Sequence, residues 1–470
     1  MTSKSKTRAS PTATATARAA TTTGSAASTA NGTVVKALIA GFILRVAVAF
    51  ALQGSQIASS VRGHVLLSTP HTSYRRLSEG IFLSRHGVPL TESDVSHPWL
   101  LLSLFTPIVT HLPEIGIDAV FAAIDCFVAY ALFVASQALL SGAGRTRYQS
   151  LVAPLPLKFF RLEAAPLLYL FNPISILTCL ARSTLPVTHL AVAMSLASAL
   201  GGRRWLAMAW LSIASYLDLY PSALLPAVIF ILRPRADLAQ SPSSSSTAKS
   251  KSKSKSTTSI LNLIEDAASV IAFGIGILML LNISSTDSAS ILGQLRSIWW
   301  PLISVEDLTP NVGMWWYLLI EMFDHFRSFF VSMLQLYIVI FIGPISYKFR
   351  DAPIAAFVIN TGILAAFKSY PSLSDFSSFF VSLLPLVPEL FAYLKYTQVN
   401  CIVHLVAVVL MPVSWYAWIV AGSANANFYY AATLVYALSC GMLLADLVIA
   451  KAVHDFDTAH EAKDKIVVQE

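Results

Sequence analysis

Glu321 and His325 stand four residues apart, with Asp324 beside the histidine, in the run VEDLTPNVGMWWYLLIEMFDHFRSFF (Val305–Phe330). At that spacing a carboxylate and an imidazole share one helix face, where they can exchange a proton or supply two metal ligands. A metal would need a third ligand folded over from His71, His86 or His97. The same spacing also serves a hydrogen-bonded structural pair, or contact with a polar ligand or partner subunit. Other polar groups recur at intervals. Lys368-Ser369-Tyr370-Pro371 sits at the end of an apolar run. There a lysine and a tyrosine either anchor a helix at an interface or meet an anionic phosphate. Asn425-Ala426-Asn427 precedes Phe428-Tyr429-Tyr430. Its carboxamides suit either a helix N-cap or the hydroxyls and phosphate oxygens of a sugar-bearing ligand. Glu92-Ser93-Asp94 is an acidic pair, open to catalysis or to simple solvation.

The elements that must position these groups are membrane helices. Of the 470 residues 55% are hydrophobic and only 12% charged, and the mean hydropathy is +0.65. A soluble domain carries about a quarter charged residues, so the composition defines an all-α, polytopic membrane protein. Apolar runs long enough to span fall near 34–53, 117–140, 162–181, 184–200, 204–217, 219–233, 260–283, 328–346, 352–367, 376–393, 398–421 and 428–450. That gives about twelve spans. Leu100–His111 is apolar but short, which suits an interfacial or re-entrant helix. Pro310 and Asn311 mark a turn, and Gly313 begins a helical run on which Tyr317, Glu321, Asp324/His325 and Ser328 share a stripe. Lipid cannot solvate such a stripe, so it faces protein, a wet cavity or a polar ligand. Arg45, Asp125 and Asp218 are isolated charges in apolar runs. Such charges are normally paired inside a bundle, and Arg45 with Asp125 is the expected pair.

The remaining segments read as a Thr/Ala/Ser-rich disordered tail (1–32), an N-terminal half-bundle (33–235) with a polar loop at 54–97, a Ser/Lys low-complexity loop (236–258), a C-terminal half-bundle (259–450) and a charged tail (451–470). The start lacks the apolar core of a cleavable signal peptide. With the N-terminus in the cytosol, 23 of the 32 Lys and Arg fall on the cytosolic side and 8 on the other. This positive-inside bias also puts the C-terminus in the cytosol and the polar, less basic segments on the opposite face. The net charge of +7 therefore reports topology rather than nucleic-acid binding. Cys126, Cys179, Cys401 and Cys440 lie apart in apolar runs and read as buried hydrophobes. Nucleophile elbow, Walker A, HExxH, CxxC and dinucleotide glycine motifs are all missing from the sequence. A self-contained soluble-type active site, a resident metal and an organic cofactor are therefore not expected.

Six segments together resemble the subunit U (PIG-U) family of the GPI transamidase complex. They are STPHTSYRRLSEGIFL (Ser68–Leu83), FNPISILTCLARST (Phe171–Thr184), YLDLYPSALL (Tyr216–Leu225), DLTPNVGMWWYLLIEMFDHFRSFF (Asp307–Phe330), FKSYPSLSD (Phe367–Asp375) and WIVAGSANANFYYA (Trp418–Ala431). The family usually follows the histidine matching His97 with an acidic residue and a proline. Here Pro98-Trp99 follow directly, so no role is carried onto Glu92 or Asp94. The resemblance implies an endoplasmic reticulum membrane subunit with a fold like that of GT-C mannosyltransferases, including luminal interfacial helices. The complex replaces a C-terminal signal peptide by a GPI lipid. The U subunit is implied to be non-catalytic, working beside a cysteine-protease-like catalytic subunit and holding the GPI lipid, the proprotein signal, or both. On this reading Asp307, Asn311, Glu321, His325, Lys368, Tyr370, Asn425 and Asn427 line a luminal rim. Trp315, Trp316, Phe428, Tyr429 and Tyr430 line a groove or stack on sugars. The alternative is a GT-C mannosyltransferase using a dolichol-phosphate sugar, with Glu92 or Asp94 as its acidic residue. A transporter is the weaker third reading, because the acidic groups crowd one face rather than the bilayer centre.

Overall fold

A computed structural model of the chain describes residues 11–88, 95–140, 163–233, 248–284 and 291–460. Glu92, Asp94, the first half of the Ser/Lys loop and the ends of both tails lie outside them. Every regular element among the described residues is helical. The first half comprises α1 (Pro11–Leu52), α2 (Gln56–Arg62), α3 (Tyr74–Arg85), α4 (Trp99–His111), α5 (Glu114–Leu140), α6 (Ala164–Leu170), α7 (Pro173–Leu180), α8 (Leu185–Leu200), α9 (Arg204–Leu217) and α10 (Leu225–Leu232). The second comprises α11 (Ala248–Ser284), α12 (Ile291–Ile298), α13 (Trp300–Ser304), α14 (Trp315–Ile320), α15 (Asp324–Lys348), α16 (Pro353–Phe367), α17 (Thr397–Trp415) and α18 (Ala426–His460).

Six helical stretches among the described residues are long and apolar enough to cross a membrane: Ala30–Leu52, Glu114–Leu139, Asn262–Ile283, Asp324–Lys348, Thr397–Val420 and Ala426–Ala459. Shorter apolar helices accompany them, including α4, α8 and α16. Most apolar runs read from the sequence coincide with helix, but the expected span 376–393 is broken into a π-helical turn (Asp375–Phe380), one α-helical turn (Val381–Leu383) and two 3-10 turns (Leu384–Leu386 and Pro388–Leu390). The run at 162–181 is divided between α6 and α7, because Asn172 caps a new helix whose first residue is Pro173.

Two short helices form the centre. α8 packs on α5, α9 and α10, while α16 packs on α15, α18 and α10. Nearly all of α16 from Ala355 to Ala366 is buried. Small side chains allow that enclosure. At Gly362 an added Cβ would stand 2.6 Å from both Leu444 and Phe380. By contrast, α11, α15 and α17 keep most of their apolar surface on the outside, as lipid-facing helices do.

Buried charges are paired. Arg45 on α1 donates from Nε to Asp125 Oδ2 on α5 at 2.8 Å, and also to the Leu170 carbonyl and Ser175 Oγ. The Tyr169 hydroxyl takes the other Asp125 oxygen at 2.9 Å. The pair expected from two isolated charges is thus present. At the polar end of the bundle Arg182, itself in the left-handed region at φ 54°, donates to Asp118 at 2.6 Å and to Glu114 at 2.5 Å. Its guanidinium lies over the Tyr74 ring of α3. This cluster ties α3 to the helix ends. At the opposite, basic end, Arg204 pairs with Glu265 and Arg233 with Asp266.

Candidate functional site

The site is organised by the turn between α13 and α14. Val305 ends α13 at φ 53°, a conformation costly for a β-branched residue, and turns Glu306 and Asp307 out of the helix. Asp307 Oδ1 accepts from the Thr309 amide (2.9 Å) and hydroxyl (2.5 Å), while Oδ2 faces Arg76 at 3.5 Å. Asn311 is buried and accepts from the Gly313 amide at 2.7 Å, closing the turn that leads into α14. Gly313 is required there, since a Cβ would meet Pro371 at 2.8 Å. Three tyrosine hydroxyls then donate to carbonyls of this segment: Tyr370 to Asp307 (2.8 Å), Tyr429 to Asn311 (3.2 Å) and Tyr430 to Met314 (3.3 Å).

Beyond the turn, α14 buries Trp315, Trp316 and Leu319 and presents Tyr317 to the start of α18. The Tyr317 ring stacks on Tyr430 at 4.4 Å, and its hydroxyl donates to the Asn427 side chain. Asn425 is the N-cap of α18, accepting from the amides of Asn427 (3.1 Å) and Phe428 (3.4 Å). Asn425 and Asn427 are solvent-exposed. Behind them Trp316, Trp415, Trp418 and Tyr429 form one aromatic cluster with ring centroids 5.1–6.4 Å apart.

One sequence expectation requires correction. The helix does not run continuously from Gly313 through Ser328. It stops at Ile320, Glu321 serves as C-cap, and α15 restarts at Asp324 after an extended Phe323. Arg327 reaches back to the Leu319 carbonyl at 3.3 Å, satisfying an acceptor that the break exposes. Glu321 and His325 therefore do not share a continuous helical stripe. His325 is exposed and packs on Phe326 at 4.0 Å.

Lys368 and Tyr370 lie inside. The Lys368 ammonium is 2.9 Å from Asp375 and 3.4 Å from Asp218, and His189 stands 3.4 Å from Asp375. Ser369 bonds the Tyr220 hydroxyl at 2.9 Å and the Leu302 carbonyl at 3.1 Å. The loop after α16 is thus tied to the segment that precedes Asp307. Sequence reading did not find Asp375 and His189 as partners of Lys368, nor Tyr317 as the partner of Asn427. Each signal was an ordinary residue whose partner lies on another element.

Two hollows flank the turn. A sideways-open groove of about 540 Å³ lies between α15, α16 and α18, lined by Met314, Tyr337, Phe367, Leu438, Gly441 and Met442 among others. On the other side a polar cavity of about 670 Å³ is lined by His71, Arg76, Arg296, Trp300, Glu306 and Asp307 among others. Met314 lines the first and Asp307 the second, so the two hollows lie on either side of one turn.

A bundle of apolar helices with buried charge pairs and a polar, aromatic-lined end is an integral membrane protein. Residues 39–436 match the family described as GPI transamidase subunit PIG-U. The chain is 32% identical to the GPI transamidase component GAB1 of Saccharomyces cerevisiae over 420 residues, covering 89% of this chain and 94% of that protein. It is 29% identical to the GPI-anchor transamidase component PIGU of Homo sapiens over 440 residues, covering 90% and 95%. The chain belongs to the PIG-U family of GPI transamidase subunits.

Proposed function

We propose that this chain is the non-catalytic subunit that holds and presents the GPI lipid to the transamidase in the endoplasmic reticulum membrane, with both termini cytosolic and the polar end luminal. The observation that carries the reading is the continuity of groove and rim. Met314 lines the apolar groove, its carbonyl accepts from Tyr430, and Tyr430 stacks on the Tyr317 that bonds Asn427. An acyl chain fits an apolar groove open to lipid, and a glycan suits exposed carboxamides beside aromatic faces.

On this reading Asn425, Asn427, Glu321 and His325 form the contact rim. Asp307, Asn311, Lys368 and Tyr370 hold the turn that carries it. The partners are the other transamidase subunits, including the cysteine-protease-like catalytic one, and the glycolipid itself.

The test is purification of the full chain from its native membrane in mild detergent, followed by lipid mass spectrometry. Glycolipid enriched with the wild type and depleted by bulky Gly441→Leu in the groove supports the reading. Equal recovery from both contradicts it.

A further inference from the structure

The polar cavity on the far side of the turn has a charge pattern of its own. Arg76 and Asp307 face each other at 3.5 Å on one wall. Arg296 and Glu306 are exposed, and neither makes an ion pair among the described residues. The cavity therefore offers one guanidinium and one carboxylate of opposite sign, not a single-sign field. The carboxylate is held in place. Trp300 Nε1 and Ser304 Oγ both donate to Glu306 Oε1 at 3.0 Å, and the left-handed Val305 directs Glu306 away from the helix axis.

The depth of the cavity is legible in α12. It buries Gln294 and Ile298 and exposes Leu292 at 75% and Ile291 at 36%. A short helix with its first two apolar residues outward, followed by a half-exposed Trp300 at the start of α13, suits the membrane interface. A cavity at that depth meets lipid headgroups.

We infer that this cavity binds a zwitterionic phosphoethanolamine headgroup of a membrane phospholipid. Arg296 takes the phosphate through its planar fork, and Glu306 accepts from the ammonium beside the Trp300 ring. A choline headgroup lacks the N–H donors that Glu306 requires, and a glycerol headgroup lacks the positive charge. The inference goes beyond the glycolipid reading and does not rest on it, since it concerns the opposite side of the turn.

Native mass spectrometry of the detergent-purified full chain, titrated with phosphatidylethanolamine, phosphatidylcholine or phosphatidylglycerol, reads the retained lipid directly. Phosphatidylethanolamine is expected to be retained preferentially, and millimolar O-phosphoethanolamine to displace it. Losing a hydrogen bond to a charged group weakens binding by about tenfold or more. Arg296→Ala should reduce retention by that factor, and Glu306→Gln should erase the preference over phosphatidylglycerol. Both side chains are exposed, and an unchanged thermal melt confirms that the variants fold. Equal retention of the three lipids by the wild type overturns the inference. So does a preference untouched by Glu306→Gln, or failure of O-phosphoethanolamine to compete. None of these outcomes bears on the groove near Asn427.

Discussion

The Tyr370 hydroxyl donates to the Asp307 carbonyl at 2.8 Å, so the loop after α16 holds the turn that carries α14. The same turn separates the apolar groove from the polar cavity. Position of the rim is thus set from behind, by a buried tyrosine that a ligand at the rim need not touch.

Tyr370→Phe removes that bond and leaves the ring in place against His71, 4.6 Å away. A single hydrogen bond contributes about 1 kcal/mol. The variant should melt about 1 °C lower in detergent, as a chain of this length implies, and attach GPI anchors less efficiently. An unchanged melt would show that the bond does not hold the turn.

Lys368→Met leaves Asp375 and Asp218 without their shared cation. Breaking a buried ion pair from one side costs about 3–5 kcal/mol. The expected outcome is low yield of folded protein, with partial recovery in Lys368→Arg. Normal folding of Lys368→Met together with loss of GPI attachment would instead assign the lysine to ligand contact.

Arg45→Met strands Asp125 beside Tyr169, at a similar cost of about 3–5 kcal/mol. Arg45→Met with Asp125→Leu should recover most of the loss, because an apolar pair suits the interior of the bundle. Thermal melts of the two variants compare directly, and equal destabilisation would contradict the account of this pair.

His97 is buried, and neither ring nitrogen has a hydrogen-bond partner among the described residues. Burial first, then the neighbouring His71 and Arg76, pushes its pKa down to about 3. The folded state keeps the ring neutral, whereas the unfolded chain protonates it below about 6.5. Stability is therefore full above that pH and falls as pH drops from 6.5 towards 3. The loss between pH 7 and pH 5 is about 2 kcal/mol. His97→Phe should flatten that part of the melting-versus-pH curve, and an unchanged slope would contradict the assignment.

Much of this architecture is legible in the sequence, because its causes are local. Apolar runs must be helical in lipid, and most of these runs coincide with helix, the broken one at 376–393 apart. Arg45 and Asp125 were readable as a pair because an isolated charge in an apolar run needs a partner. The break at Glu321–Phe323 was not readable, since no proline or glycine marks it. Tyr317, just before it, is held by α18, and Arg327 takes up the Leu319 carbonyl that the break leaves free. The partners of the rim residues were likewise hidden. Asp307 is met by Arg76 and Asn427 by Tyr317, partners that lie on other elements.

The central claim is that Asn425 and Asn427 contact the GPI lipid. Its most direct test measures surface display of a GPI-anchored reporter in cells whose only copy is Asn425→Ala/Asn427→Ala. Asn425→Ser/Asn427→Ala, which keeps the helix cap, serves as the fold control. Two lost hydrogen bonds predict a fall of at least about fivefold in both variants, with the other transamidase subunits still co-precipitating. Normal display by the double variant in an assembled complex would contradict the claim.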